Sequence, residues 1–324
     1  MRALKSFFAR WQNWPGIIIV AFFIFVAAAA PLLSPVDPLN PGPIKVVGKF
    51  TDHKPQPPSE LAPLGTLPGQ ASIYHTLIWG TRSALIFGLI VALGTAAIGV
   101  LVGTTGAYFG GLLDDILMRV TDAFLAFPVI AAVVVFQQVV SITMLNAGAY
   151  YSSGGLGGAV TSTNPFLNTP EEIPMWLNLI NQLNPVMIAF ILFSWMPYSR
   201  IINVMVKRNK QAEYVQAARS LGASHLHLIF QHLIPNSIAP ILVLAARDIG
   251  AMVLFQATFT YIGLGGDSLW GMLLVKGRNW ILAPGGILTY WWVFLPATLA
   301  LVLFGIGWNL VGDGLNDSLN PRSS

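Results

Sequence analysis

The sequence contains no cysteine, which excludes a disulfide framework, a thiolate metal site and a cysteine nucleophile. Charge is nearly as scarce: Asp, Glu, Lys and Arg make up 9% of 324 residues, against 55% hydrophobic residues. A water-soluble chain of this length carries about 25% charged residues, so the composition fits a lipid solvent instead. No Gly-x-x-x-x-Gly-Lys-Ser/Thr segment occurs either, and with it goes the P-loop manner of holding nucleotide phosphates. A net charge of +4 has the sign that suits nucleic acid, but the basic residues collect at the ends of apolar runs, as membrane topology requires.

A transmembrane helix needs about 20 mostly apolar residues, because each rises about 1.5 Å through a hydrocarbon core about 30 Å thick. Six such runs occur, at residues 17–33, 82–114, 122–145, 184–206, 237–261 and 289–311. They predict an all-α polytopic membrane protein with six transmembrane helices. The first run follows a basic stretch and ends in four alanines, so a cleaved signal peptide is the competing reading there; five spans follow in either case. The expected organisation is a tail at 1–16, a first span at 17–33, an outer segment at 34–76, a membrane core at 77–315 and a tail at 316–324. With both tails in the cytoplasm, ten Lys and Arg fall on that side and six on the other, Arg247 being left inside a span. That is the bias of the positive-inside rule.

Nine prolines between residues 34 and 76 remove backbone donors, so that segment is expected to run extended. The insertion 147–184 holds Gly154, Gly155, Gly157 and Gly158 among many Ser, Thr and Asn, which suits a flexible outer loop or a docking surface for an outer partner. Gly99 and Gly103, then Gly106 and Gly110, are spaced four apart and share a helix face on which another backbone can approach. Pro128, Pro197 and Pro296 fall inside predicted spans, where a missing hydrogen bond permits a kink.

The stretch 207–236, between the fourth and fifth runs, has another pattern. Tyr214, Ala217, Ala218 and Leu221 follow i, i+3, i+4, i+7 spacing, the signature of one apolar face on a short helix. Gly222 is a helix stop and Ser224 a cap for a second helix, in which Leu226, Ile229, Phe230 and Leu233 repeat the spacing up to Pro235. Two short amphipathic helices meeting at a glycine corner are expected. Glu213, Gln216, Arg219 and Ser220 form the polar face, while Ala217, Ala218 and Gly222 leave room for a partner to approach. An interfacial helix lying on lipid has the same pattern.

Here a specific resemblance appears. Gln216-Ala217-Ala218, three residues, Gly222, nine residues and His232-Leu233-Ile234-Pro235 resemble the EAA loop of binding-protein-dependent ABC importer permeases. The flanking segments Tyr108-Phe109-Gly110-Gly111, Asp122-Ala123-Phe124-Leu125-Ala126-Phe127-Pro128, Glu213-Tyr214-Val215, Tyr261-Ile262-Gly263-Leu264-Gly265 and Asn309-Leu310-Val311-Gly312-Asp313-Gly314-Leu315 are similar to the C-type subunit of the dipeptide and oligopeptide permease family. The resemblance implies a type I ABC importer permease fold in a prokaryotic inner membrane, with both termini cytoplasmic and no enzymatic activity or cofactor of its own. The partners it implies are a second permease subunit, two ATP-binding cassette subunits that hydrolyse ATP, and an extracytoplasmic solute-binding protein. The elbow is then the coupling helix, with Glu213, Gln216, Ala217, Ala218, Arg219, Gly222 and Ser224 at a groove of an ATP-binding subunit. Alternating access would import di- or oligopeptides, with oligosaccharides or nickel complexes as other cargo of the same machinery. Gln216 stands where the family usually has Glu, replacing a charge-assisted bond by a neutral one. Gln256 is a second such departure.

Arg247 and Asp248 lie inside the fifth run, where charge is expensive. They are expected to face the bundle interior, either pairing with other helices or, with Gln256, lining or gating the pathway. Adjacent helix positions point about 100° apart, so their partners should lie elsewhere. An ion-coupled secondary transporter would need intramembrane carboxylates as a relay, and Asp248 is the one acidic residue deep in a run; a membrane scaffold would not need the elbow. His225, His227 and His232 lack metal-site spacing. Asp114, Asp115 and Asp122 are expected to form salt bridges with Arg119 or other loops.

Overall fold

The computed structural model describes residues 7–8, 10–36, 42–48, 54–146, 184–281 and 289–319. The insertion 147–184 apart from Asn184 lies outside the described residues, as do Arg2, Lys5, Lys49 and Arg322. In chain order the main helices are α1 (Trp14–Leu33), α2 (Ile73–Phe109), α3 (Gly111–Ala126), α4 (Val129–Asn146), α5 (Pro185–Phe193), α6 (Met196–Asn209), α7 (Glu213–Ser220), α8 (Ala239–Tyr261), α9 (Leu269–Ile281) and α10 (Trp291–Leu319). Among the described residues, α1, α2, the α5–α6 stretch, α8 and α10 are each long and apolar enough to cross a membrane. The protein is an all-α, multi-pass membrane protein.

Three boundaries differ from the sequence reading for local reasons. Helix α2 begins well before Arg82, because Ser72 caps it: the Ser72 Oγ accepts the His75 N–H at 3.3 Å, meeting one of the four orphan donors of a helix start. The third span expected at 122–145, with a kink permitted at Pro128, is two helices, α3 and α4, bent by 85°. Pro128 supplies no N–H, and the residue before a proline is pushed out of the helical region; Phe127 accordingly has φ −89° and ψ 131°. Counted as one broken span, this pair makes the sixth crossing. Pro197 sits in the first turn of α6 after a break at Ser194, where a missing N–H is harmless, and Pro296 lies inside α10.

Helix α9 has no forerunner among the apolar runs. It is held in the bundle by Trp270, which is fully buried. The indole Nε1 of Trp270 donates to the Leu77 carbonyl at 3.0 Å, and its ring meets those of Phe23 and Phe304 at 5.9 and 5.6 Å. Gly80 makes room for it, since a Cβ there would lie 2.5 Å from the indole ring. An aromatic residue buried with its polar atom satisfied is an anchor that hydropathy averaging over a window does not register.

Helix α2 packs along α1, α6 and α8, and α8 packs along α10. The glycine pair read from the sequence faces α6: Cβ atoms at Gly99 and Gly103 would lie 2.4 Å from the Tyr198 Cβ and 2.3 Å from the Ser199 carbonyl oxygen. The second pair divides. Gly106 faces Asp114, with an added Cβ 3.0 Å from its Oδ1, whereas Gly110 ends α2 in a left-handed corner at φ +70° with open space around it.

Candidate coupling site

The elbow is built by local backbone chemistry. Helix α7 ends in a Schellman motif: the Gly222 N–H donates to the Arg219 carbonyl and the Ala223 N–H to the Ala218 carbonyl, both at 3.1 Å. This motif needs its penultimate residue in the left-handed region, and Gly222 has φ +83°. Ser224 then starts the second arm, its Oγ accepting the His227 N–H at 3.3 Å. That arm consists of a turn at His225–His227, a π-helical stretch at Leu228–Leu233 and a last turn at Ile234–Ser237. The second amphipathic α-helix expected from the sequence is therefore corrected. A π-helix closes i→i+5 bonds, such as Ile234 N–H to the Ile229 carbonyl, and its wider turn changes which residues share a face.

The apolar face expected on α7 is turned outward, with Val215 buried in its place, and the second expected face is divided between the core and the surface. Val215, Leu228, Ile229 and Leu233 are buried against Tyr108, Tyr198, Ile202 and Val206. Tyr214, Leu221, Leu226 and Phe230 point outward, 43%, 90%, 68% and 57% exposed. Glu213, Gln216, Ala217, Arg219, Gly222 and Ser224 are exposed beside them, with Ala218 half-buried. All seven elbow residues singled out from the sequence thus lie on one knuckle. An exposed apolar cluster rimmed by polar groups marks an interaction surface.

The knuckle is pinned to the bundle at both arms. Tyr108, at the end of α2, shares a hydrogen bond with the His225 Nδ1 at 2.6 Å. The Lys210 ammonium donates to the Tyr108 carbonyl and sits 5.6 Å from its ring centre. At the base, Asn209 Nδ2 donates to the Ser237 Oγ at 2.8 Å and the Asn236 carbonyl at 3.0 Å, joining the two ends of the loop. A cleft of about 680 Å³ between the knuckle and the α2–α3 corner is lined by Tyr108, Asp114, Lys207, Lys210, Gln216 and Arg219 among others. Tyr108, Asn209, Lys210 and His225 were not legible as site residues, because their partners are up to 117 positions away. Tyr108→Phe should remove one hydrogen bond worth about 1 kcal/mol. Hydrogen exchange is expected to quicken several-fold in residues 213–233 and not in α8.

Two of the three acidic residues, Asp114 and Asp122, pair with α6 rather than with Arg119. Asp114 makes an ion pair with Lys207 and accepts from Asn203 Nδ2 at 2.7 Å, and Asp122 pairs with Arg200. Arg247, Asp248 and Gln256 do not converge. Arg247 pairs with Asp313 of α10, its side chain 47% exposed rather than turned to the bundle interior. Asp248 accepts the Tyr198 hydroxyl at 2.6 Å. Gln256 is buried, and its Nε2 donates to the Gly266 carbonyl at 2.7 Å, in the glycine turn that follows α8. At about 1.5 Å per residue, Gln256 stands about 13 Å along the axis from Arg247.

Residues 95–324, which include the knuckle, α6 and the end of α2 that bears Tyr108, match the family described as binding-protein-dependent transport system inner membrane component. A probable D,D-dipeptide transport system permease protein of Escherichia coli is 30% identical over 270 residues, 82% of this chain and 76% of that protein. A dipeptide transport system permease protein of Alkalihalophilus pseudofirmus is 26% identical over 310 residues, 95% of this chain and 84% of the relative. An oligopeptide transport system permease protein of Bacillus subtilis is 27% identical over 312 residues, 95% and 84% of the two chains. With more than half its length matched and its knuckle inside the matched region, the chain belongs to the family of binding-protein-dependent transport system inner membrane components.

Proposed function

We propose that the protein is the permease subunit of an ATP-driven, solute-binding-protein-dependent importer of di- or oligopeptides, seated in a prokaryotic inner membrane with both termini cytoplasmic. The observation that carries the reading is the pinned knuckle with its outward apolar cluster of Tyr214, Leu221, Leu226 and Phe230, in a chain of a transport family. The peptide cargo is supported by relatives over most of the chain's length that are dipeptide and oligopeptide transport permeases.

In this reading the chain is not an enzyme. Two ATP-binding cassette subunits hydrolyse ATP, a second permease completes the path and an outer solute-binding protein delivers the cargo. Glu213, Gln216, Ala217, Ala218, Arg219, Gly222 and Ser224 meet the groove of one ATP-binding subunit. When nucleotide draws those subunits together, the knuckle moves with its own. Because Tyr108, Lys210 and Asn209 tie it to α2 and α6, the displacement reaches the membrane helices as a rigid-body shift, and the bends at Phe127–Pro128 and Ser194–Trp195 absorb the change of angle. Opening alternates between the two sides because nucleotide binds one arrangement better than the other.

The test is co-expression with candidate ATP-binding partners and reconstitution with a solute-binding protein loaded with a dipeptide. ATP-dependent dipeptide uptake, together with retention of the ATP-binding subunits through purification, is expected. Uptake driven by an ion gradient with no nucleotide would contradict the reading.

A further inference from the structure

Two interruptions in the membrane helices lie at one height. Counted from the Lys207–Asp114 ion pair, Trp195 is twelve residues along α6 and Phe127 thirteen along α3. At about 1.5 Å per residue, both lie about 18–20 Å from that pair. The Arg200–Asp122 ion pair, between them, keeps α3 and α6 antiparallel and in register. Phe124 bridges the two helices at the junction, its ring 6.2 Å from that of Phe193 and 6.2 Å from that of Trp195.

The junction is open. Phe127 is 52% exposed, and the side chains of Arg200 and Asp122 are 53% and 47% exposed. Pro128 and Pro197 are exposed as well. Trp195 lies near the middle of the apolar span Pro185–Asn209, and Phe127 near the middle of the bent pair Gly111–Ala126 and Val129–Thr143, so a crossing by these helices puts both interruptions inside a hydrocarbon core about 30 Å thick. Interrupted backbone at such depth persists where it is buried in protein or lines water, and exposed charge there is costly against lipid. A second protein packed on this surface would gain no new charge pair, since Arg200 and Asp122 already neutralise each other, and would have to desolvate a completed one.

We propose that this junction, bearing Asp122, Phe124, Phe127 and Arg200, is where the subunit lines the hydrated solute path. It offers aromatic faces beside a polar, already neutralised ion pair, which suits a hydrated solute with variable side chains. That solute chemistry rests on the importer reading above, whereas exposure to water is measured independently of transport.

The absence of native cysteine provides the background for the test. Phe127→Cys and Pro197→Cys, each alone in the assembled transporter in proteoliposomes, are treated with a charged, membrane-impermeant thiosulfonate. Only the thiolate reacts, and lipid suppresses its formation, so labelling should outrun that of Phe25→Cys on the apolar α1 by at least about tenfold. Labelling as slow as at Phe25→Cys would assign the surface to lipid and overturn the proposal. Fast labelling of the subunit alone, but none in the assembly with or without nucleotide, would assign it to a protein interface and overturn it too. Fast labelling at both positions in an assembly that takes up no dipeptide would support the water-lined junction while removing the peptide reading.

Discussion

Gly222→Arg is expected to abolish dipeptide uptake in the reconstituted transporter while leaving the subunit folded in the membrane. The corner needs φ +83°, and a residue with a Cβ held in the left-handed region costs roughly 1–2 kcal/mol. That strain is local. Nothing lies within 4 Å of a Cβ built at this position, so no packing is disturbed and the arginine projects from the corner beside Leu221, into the space an ATP-binding subunit would occupy. A long charged side chain there opposes closure of an apolar contact. Gly222→Ala carries the same backbone strain with little bulk, so it separates the two effects and should retain part of the uptake. Uptake by reconstituted vesicles, ATP hydrolysis and the yield of assembled complex are the measurements. Wild-type uptake by Gly222→Arg would remove the knuckle from the coupling path.

Gly103→Val should have the largest effect on stability. A Cβ at Gly103 would lie 2.3 Å from the Ser199 carbonyl oxygen and 2.5 Å from the Ile202 Cγ2. A backbone oxygen in a packed helix cannot swing aside, so α2 and α6 must separate. Their separation loosens the Asn203 Nδ2 bond to the Gly103 carbonyl at 3.2 Å and unseats the base on which the knuckle stands. Overpacking of a tight interface costs about 1–3 kcal/mol, and close small-residue contacts are a main source of helix association in lipid, where apolar side chains gain little by leaving one another's company for acyl chains. Gly94→Val is the control. Its Cβ would meet the Ile191 side chain at 3.1 Å, which can rotate away. A clear fall in the thermal midpoint of detergent-purified protein is expected for Gly103→Val and a small one for Gly94→Val. Equal midpoints would mean that α2 and α6 are not held by this contact.

The two experiments probe different links of one chain of force. In the proposed mechanism Gly222 would govern whether the knuckle meets its partner, and Gly103 whether a displacement of the knuckle reaches α2 and α6 together. Tyr108 stands between them, since its ring packs under the elbow and its hydroxyl meets the second arm at 2.6 Å.

By itself the sequence determined the solvent, the all-helical class, five of the crossings and the elbow with its glycine corner. Each of these follows from information that is local: apolar runs of bilayer length, spacings of three and four residues, and a glycine at a Schellman position. Tertiary structure decided the rest. The burial of α9 through Trp270 depends on neighbours that a window average does not contain. The inward turn of Val215, the outward turn of Leu221 and the pairing of Arg247 with Asp313 were likewise settled by packing. Long-range partners choose among faces that periodicity leaves equivalent, and in a chain with so few charges each ion pair is fixed by which helix lies alongside rather than by which residue lies nearby in sequence.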